Sequence, residues 1–137
     1  MILTFEDSEE EILNHIVSYV DTGARAFQVA EIAKTNLNFN GLEIDITKRL
    51  VRKQRQEKDL TFIEFEVLYL LANNPDRVFS KEQIYDIVWK ESYSGDYNIV
   101  MSHIHNIREK IEDNPSKPVY IQTVWGLGYR FNQKMVK

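Results

Sequence analysis

No cysteine occurs in the 137 residues, which excludes a disulfide framework and a thiolate metal site and makes a reducing interior the natural setting. No run approaches the roughly 18 consecutive apolar residues of a membrane span, and the start of the chain lacks the basic and apolar stretches of a secretory signal. A soluble, cytoplasmic protein is expected. Proline is confined to Pro75, Pro115 and Pro118, all in stretches that read as breaks between elements. Neither sign of charge dominates: 17 basic and 21 acidic residues leave a net of −4. Taken whole, that balance argues against nucleic-acid binding, because phosphate contact rests on Lys and Arg. The average hides an asymmetry. Residues 1–35 hold seven acids against Arg25 and Lys34, whereas the remainder holds 15 basic and 14 acidic groups and is almost neutral. With 43% apolar residues the chain can bury one real core and a small appendage.

In the acidic first part, Ile2 to Phe5 is strand-like, and Ser8-Glu-Glu-Glu11 fits a capping box, in which a hydroxyl and a carboxylate three residues on satisfy each other's backbone N–H groups. A helix to about Val20 should follow, with Ile12, Leu13, Ile16 and Val17 on one stripe and Asp21-Thr-Gly23 as its stop. Ala26 to Ala33 mixes strand-like alternation with helix-favouring alanines, and the strand reading leads.

From Asn36 the pattern changes to short β-like runs: Leu37 to Phe39, Leu42 to Ile46, Leu50 to Lys53, then a turn over Gln54 to Lys58 and a fourth strand near Asp59 and Leu60. This predicts an antiparallel meander. Thr61-Phe-Ile-Glu64 is a second capping box, opening a helix with Phe62, Phe65, Leu68, Leu71 and Ala72 inward and ending before Asn73-Asn-Pro75. Ser80-Lys-Glu-Gln83 is a third, opening a helix to Trp89 with Ile84, Ile87 and Val88 inward.

After a polar loop from Lys90 to Gly95, Asp96 is a fitting N-cap for a helix over residues 97–112. Val100, Ile104, Ile107 and Ile111 form one buried seam on it. At ~100° per residue the opposite face carries Asn98, Ser102, His105 and Glu109, flanked by Met101 and Asn106. Asn114 to Pro118 ends the helix. Val119 to Val124 and Tyr129 to Phe131 then predict a hairpin whose Gly126 and Gly128 supply the positive φ of a tight tip. The order is α+β: a four-stranded antiparallel sheet, three helices and a terminal β-hairpin, the plan of a winged helix, preceded by a small strand-helix(-strand) element. The implied division is an N-terminal element over 1–35, a winged-helix domain over 36–132 and a tail over 133–137.

Specific stretches carry a resemblance. Leu60-Thr-Phe-Ile-Glu-Phe-Glu-Val-Leu-Tyr-Leu-Leu71, Arg77-Val-Phe-Ser-Lys-Glu-Gln-Ile84, Val88-Trp89, Val100-Met-Ser-His-Ile-His-Asn-Ile-Arg108 and Gln122-Thr-Val-Trp-Gly-Leu-Gly-Tyr-Arg-Phe131 resemble the effector domain of OmpR/PhoB-type bacterial response regulators, in the right order over residues 36–132. The resemblance implies a sequence-specific transcription regulator of double-stranded DNA. It stops at residue 35. Family members usually place a receiver domain of about 120 residues before this effector, and none fits in 35 residues. Control by aspartyl phosphorylation is therefore not expected in this chain.

An α-helix fits the major groove, where Asn can pair bidentately with adenine and apolar groups can meet the thymine methyl. That selects Asn98, Met101, Ser102, His105 and Asn106 as candidate base contacts, against the plain alternative of a solvated helix face. His105 and Asn106 match positions that are often Arg in the family, which removes a guanine-reading fork and points to an A·T-richer site. By resemblance, Lys81, the Trp89 indole N–H, Arg108 and Tyr129 are phosphate clamps, with His103 and Thr123 as additions; Trp89 and Tyr129 are equally candidates for core aromatics. At the wing tip beside Gly126, many relatives carry Arg where this chain has Trp125, so the charge suited to a narrow minor groove is missing. Trp125 either stacks on a sugar or covers the hairpin.

In the family the loop before the last helix can face RNA polymerase, which makes Glu91, Tyr93 and Asp96 contact candidates beside an ordinary solvated loop. The stripe of Ile12, Leu13, Ile16 and Val17 needs a partner, either the body of the same chain or a second copy. The homodimer is favoured, because pairing two wings lengthens the site, with half-sites ~10 base pairs apart. His103 and His105 are two apart on a helix, point in different directions and have no completing ligands, so no metal is expected. Gly126-Leu-Gly128 is a hairpin tip, with no following helix that would make it a phosphate loop. No nucleophile, base and orienter assemble by spacing, so neither catalysis nor a cofactor is expected. The runner-up functions are a winged-helix protein-interaction module without DNA binding and a regulator whose N-terminal element senses a ligand.

Overall fold

A computed structural model describes residues 35–90 and 96–136, and of residues 97 and 98 the backbone only. The expectations for residues 1–34, including Ile12, Leu13, Ile16 and Val17, and those for Glu91 and Tyr93 lie outside the described residues. Among the described residues the order is β1 (Asn36–Phe39), β2 (Leu42–Asp45), β3 (Leu50–Lys53), β4 (Gln56–Lys58), α1 (Phe62–Ala72), α2 (Lys81–Trp89), α3 (Tyr97–Ile111), β5 (Ile121–Val124) and β6 (Gly128–Phe131). Strands β1 to β4 form a sequential antiparallel sheet and β5–β6 a separate hairpin. This is the winged helix with an N-terminal sheet that the element order predicts.

Strand β4 lies earlier than the sequence pattern places it. Lys53 pairs with Gln56, so the connection is only Gln54-Arg55, and both residues adopt positive φ, 53° and 69°. That is the backbone of a type I′ hairpin turn, which favours the twist of the flanking strands. Without glycine or asparagine in it, the turn leaves no composition signal. Asp59 and Leu60 then lead into α1 rather than forming the fourth strand.

The capping boxes at Thr61–Glu64 and Ser80–Gln83 both close as expected, each through two reciprocal side-chain to backbone bonds. On α1, Phe65, Leu68, Leu71 and Ala72 are buried, but Phe62 is 66% exposed. It stands in the first turn, where the Arg49 guanidinium lies 4.4 Å above its ring and equally close to that of Phe65. The cation covers the ring in place of the core. On α2, Ile87 is 48% exposed, and the buried pair is Ile84 and Tyr85. Tyr85 stacks on Trp89, centroids 5.0 Å apart; this turns the inward face of the helix towards residues 84, 85 and 88 and carries Ile87 to its edge.

The seam of α3 is buried as the spacing requires, with Val100, Ile104, Ile107 and Ile111 at most 1% exposed. It packs among Phe65, Leu68, Ile84, Ile121 and Phe131, all in one core cluster. The wing joins this core along both strands. Phe79, just before α2, exchanges two backbone hydrogen bonds with Tyr129, 2.8 and 2.9 Å, so β6 runs between Phe79 and β5. The ring of Phe131 lies 4.5 Å from that of Phe39, and the Tyr120 hydroxyl donates to the Asn40 carbonyl, joining wing to sheet. Val119, expected in the first wing strand, is 43% exposed and precedes it. Residues Gln133–Met135 form a 3-10 turn, Asn40 N–H donates to the Met135 carbonyl, and Val136 bridges Phe39, so residues 135–136 border β1.

Gly128 is required by this docking: at φ +148°, a Cβ there would lie 2.0 Å from the Phe79 carbonyl oxygen. At Gly126, φ +80°, a Cβ would meet nothing within 4 Å. Gly128→Ala is therefore expected to lower unfolding free energy by at least about 2 kcal/mol, whereas Gly126→Ala, strained only through φ, costs about 1 kcal/mol. Urea midpoints of the two variants test this; equal losses would mean that the wing is not held against Phe79.

Candidate nucleic-acid interface

The outward face of α3 is built by the burial of its seam. Once the four apolar residues turn inward, Met101 (44% exposed), Ser102, His105 and Asn106 are carried to the surface. Asn98 belongs to the same helix, in the first turn, where only the backbone is described. His105 Nε2 stands 3.8 Å from the Glu109 carboxylate one turn on. Donors, an acceptor amide, a thioether and an imidazole thus share one exposed ridge. The candidate base contacts with described side chains are brought together there.

The phosphate candidates are more varied. Lys81 begins α2, in its first turn. Trp89 is half-buried, stacked on Tyr85 and edge-on to His103 with centroids 5.3 Å apart. His103 Nδ1 is 2.7 Å from the Ile99 carbonyl, so that nitrogen must be the one carrying hydrogen. Tyr129 is only 6% exposed, and burial raises its phenol pKa. Both aromatics therefore contribute to the core. Asp96, at the start of α3, is exposed.

Arg108 is half-buried and bridges helix to wing. Its Nε and Nη2 donate to the Ile121 carbonyl at 3.2 and 2.9 Å, and Nη2 also donates to Thr123 Oγ1 at 2.9 Å. Burial lowers its pKa. Thr123 is thereby held against α3. At the tip, Trp125 is 89% exposed and Leu127 64% exposed, with Gly126 between them. Trp125 does not cover the hairpin.

Several residues that position this interface carry no sequence signal. Glu112, one residue beyond α3, is 7% exposed, and its carboxylate accepts from the backbone N–H groups of Val119, Tyr120 and Ile121 at 2.7 to 3.2 Å. Its partners are seven to nine residues away, across a turn, where no periodicity could reveal them. Lys53 is buried against Asp113 at 2.5 Å, tying β3 to the end of α3. Lys110 reaches Glu64 at 2.6 Å, tying α3 to the start of α1. Arg130 donates through Nε to Gln122 Oε1 at 3.1 Å across the wing.

A helix seated by its apolar seam, an exposed polar ridge and a hairpin clamped beside it define a winged helix-turn-helix. The chain belongs to the family described as transcriptional regulatory protein, C terminal, whose pattern matches residues 55–131. It is 46% identical over 97 residues to YcbL, a transcriptional regulatory protein of Bacillus subtilis, covering 71% of this chain and 43% of that one. It is 36% identical over 125 residues to YrkP of the same organism, covering 90% and 54%. The chain thus spans about half the length of these curated relatives. Among solved structures, response regulator DrrB of Thermotoga maritima, an OmpR/PhoB homolog, matches with TM-score 0.69 and 35% identity over 80% of this chain and 50% of that one. The RstA DNA-binding domain of Klebsiella pneumoniae, solved with its RstA box, matches with TM-score 0.66 and 27% identity over 71% and 96%.

Two outcomes follow for the scaffold. Arg108→Met should lose about 1–3 kcal/mol, because the Ile121 carbonyl loses its donors, and should speed amide exchange in β5 more than in β2; uniform exchange in both strands would show that Arg108 does not hold the wing. Burial pushes the Glu64 carboxyl up, but the Lys110 and Thr61 hydrogen bonds outweigh it and hold its pKa below the ordinary value. Its folded pKa being depressed, the stabilisation is full above the unfolded carboxyl pKa of ~4.3 and is lost as pH falls through the lower folded value. Urea unfolding from neutral pH down to about pH 3 should therefore show a smaller acid loss in Glu64→Gln than in the wild type. Parallel acid profiles would remove Glu64 from the account.

Proposed function

We propose that this chain binds double-stranded DNA sequence-specifically to regulate transcription, with α3 in the major groove and the wing near the minor groove. The observation that carries this reading is the polar ridge Met101, Ser102, His105 and Asn106, exposed on a helix whose other side is sealed in the core. Such a ridge lies outside the core and presents donors and acceptors of the kind that meet base edges in a major groove. The RstA domain, of similar fold, is a DNA-binding domain solved in complex with its box, which supports DNA binding here. Among the described residues no helix is long and apolar enough to cross a membrane.

In this docking, base readout belongs to Asn106, Ser102 and Met101, together with Asn98 and His105. Lys81 and Arg108 neutralise phosphates and set the register. The ridge holds no Arg, so bidentate guanine recognition is absent and adenine–thymine pairs are favoured through Asn and the apolar Met101. Two copies paired through residues 1–35 would read two half-sites in succession.

Site selection with the purified chain should return an A·T-rich consensus whose binding weakens steeply with salt. Asn106→Ala should cost ~1–3 kcal/mol at one base position, while Lys81→Ala should weaken all sequences alike. A guanine-rich consensus would sink the readout assignment. Salt-insensitive or absent duplex binding would instead favour a winged-helix protein-interaction module.

A further inference from the structure

Beside the wing lies a groove of about 510 Å³, between β5 and the turn at residues 115–118, into which Arg108, Arg130, Gln122, Thr123, Ser116 and Trp125 project. Two guanidinium groups line it, and no Asp or Glu does. Three features make this lining a set of donors. Gln122 Oε1 accepts from Arg130 Nε, which fixes the amide and turns its NH2 group to the other side. Thr123 Oγ1 accepts from Arg108, leaving its own hydroxyl hydrogen to be donated. Arg108 uses Nε and Nη2 on the wing, which leaves the hydrogens of Nη1.

The charge balance points the same way. Arg108 is half-buried, yet its hydrogen-bond partners are a carbonyl and a hydroxyl, both neutral. The nearby Glu112 carboxylate is engaged by three backbone N–H groups instead. Among the described residues neither Arg108 nor Arg130 forms an ion pair with a carboxylate, although Arg49, Arg52, Lys53 and Lys110 all do. A partly desolvated cation without an anion is costly, and an oxyanion bound in the groove relieves that cost.

The geometry points to an oxyanion seat in this groove, in which Arg130, oriented by Gln122 on the outer face of the wing, holds a phosphodiester group of duplex DNA, while Arg108 lines the same groove from the face turned to α3. The seat rests on the DNA-binding reading and extends it to Arg130 and Gln122, residues on the outer side of the wing. DNA is favoured over a free phosphate because the groove is open and continuous with the exposed Trp125 of the wing tip. An extended backbone can pass along such a groove, with the indole against a sugar.

The test is the salt dependence of binding by the full chain to its selected operator, compared for the wild type, Arg130→Gln, Arg130→Lys and Gln122→Ala. Arg130→Gln should reduce the slope of log K against log salt by about one, equally for matched and mismatched duplexes. Arg130→Lys should keep the slope while lowering affinity a few-fold, because charge remains and the fork is lost. Gln122→Ala, a neutral change, should lower affinity with the slope intact, and unchanged melting temperatures confirm folding. An unaltered slope in Arg130→Gln, with the wild type binding its operator normally, overturns the seat and leaves the DNA-binding reading standing. Failure of the wild type to bind any duplex removes both. Inorganic phosphate titrated into the free protein separates the sources. Shifts of the Arg130 side-chain resonances that vanish when operator is bound support the seat, and the same shifts persisting on the operator complex overturn it in favour of a small-anion site.

Discussion

The relation between α3 and the wing depends on how Arg108 of α3 and Glu112, just beyond it, occupy the edge of β5. Glu112, at the helix end, takes the N–H of Ile121, and Arg108, one turn earlier, takes its C=O. A neighbouring strand would make the same two bonds. Glu112 also satisfies Val119 and Tyr120, so the chain is fixed from the turn into the strand. Three backbone donors and one acceptor would otherwise be left without partners close to the core, each at about 1–3 kcal/mol. Because Arg108 belongs to α3 and Glu112 follows it directly, any motion that moved the helix would carry the wing with it.

That clamp gives the ridge on α3 its meaning. Reading a major groove requires side chains held in register with backbone contacts some distance away. The seam of Val100, Ile104, Ile107 and Ile111 fixes the rotation of the helix, while Arg108 and Glu112 fix the hairpin beside it. On the opposite edge of the hairpin, the exchange between Phe79 and Tyr129 anchors β6 to the start of α2, near Lys81. The groups proposed for reading and clamping thus hang on one connected frame. The frame is not strongly basic, so the proposed DNA binding would rest on the placement of a few cations rather than on a broad positive field.

Much of this was legible in the sequence. Seam and ridge on α3 follow from spacing alone, because an inward stripe at 3.6-residue period leaves the complementary face outside. Both capping boxes closed because each involves residues only three apart. The errors came where distant residues decide. Phe62 and Ile87 read as core by local pattern, yet Arg49 covers one and the Tyr85–Trp89 stack displaces the other. Gln54-Arg55 forms its tight turn without glycine, because pairing of β3 with β4 on either side imposes positive φ. Glu112 and Arg130 carry no local signal, since each bonds a partner across a turn or a strand pair.

By itself the sequence determined the order of elements, the buried stripe of α3, the polar face opposite it and the family, since these depend on residues within a few positions or on motifs in order. Tertiary structure alone decided which cations are committed to acids and which face an open groove, why Tyr129 is core while Trp125 is bare, and that Val136 borders β1. The physical reason is range. Periodicity and capping are properties of a local helix, whereas burial of a charge or exposure of a ring is set by whatever the folded chain brings beside it.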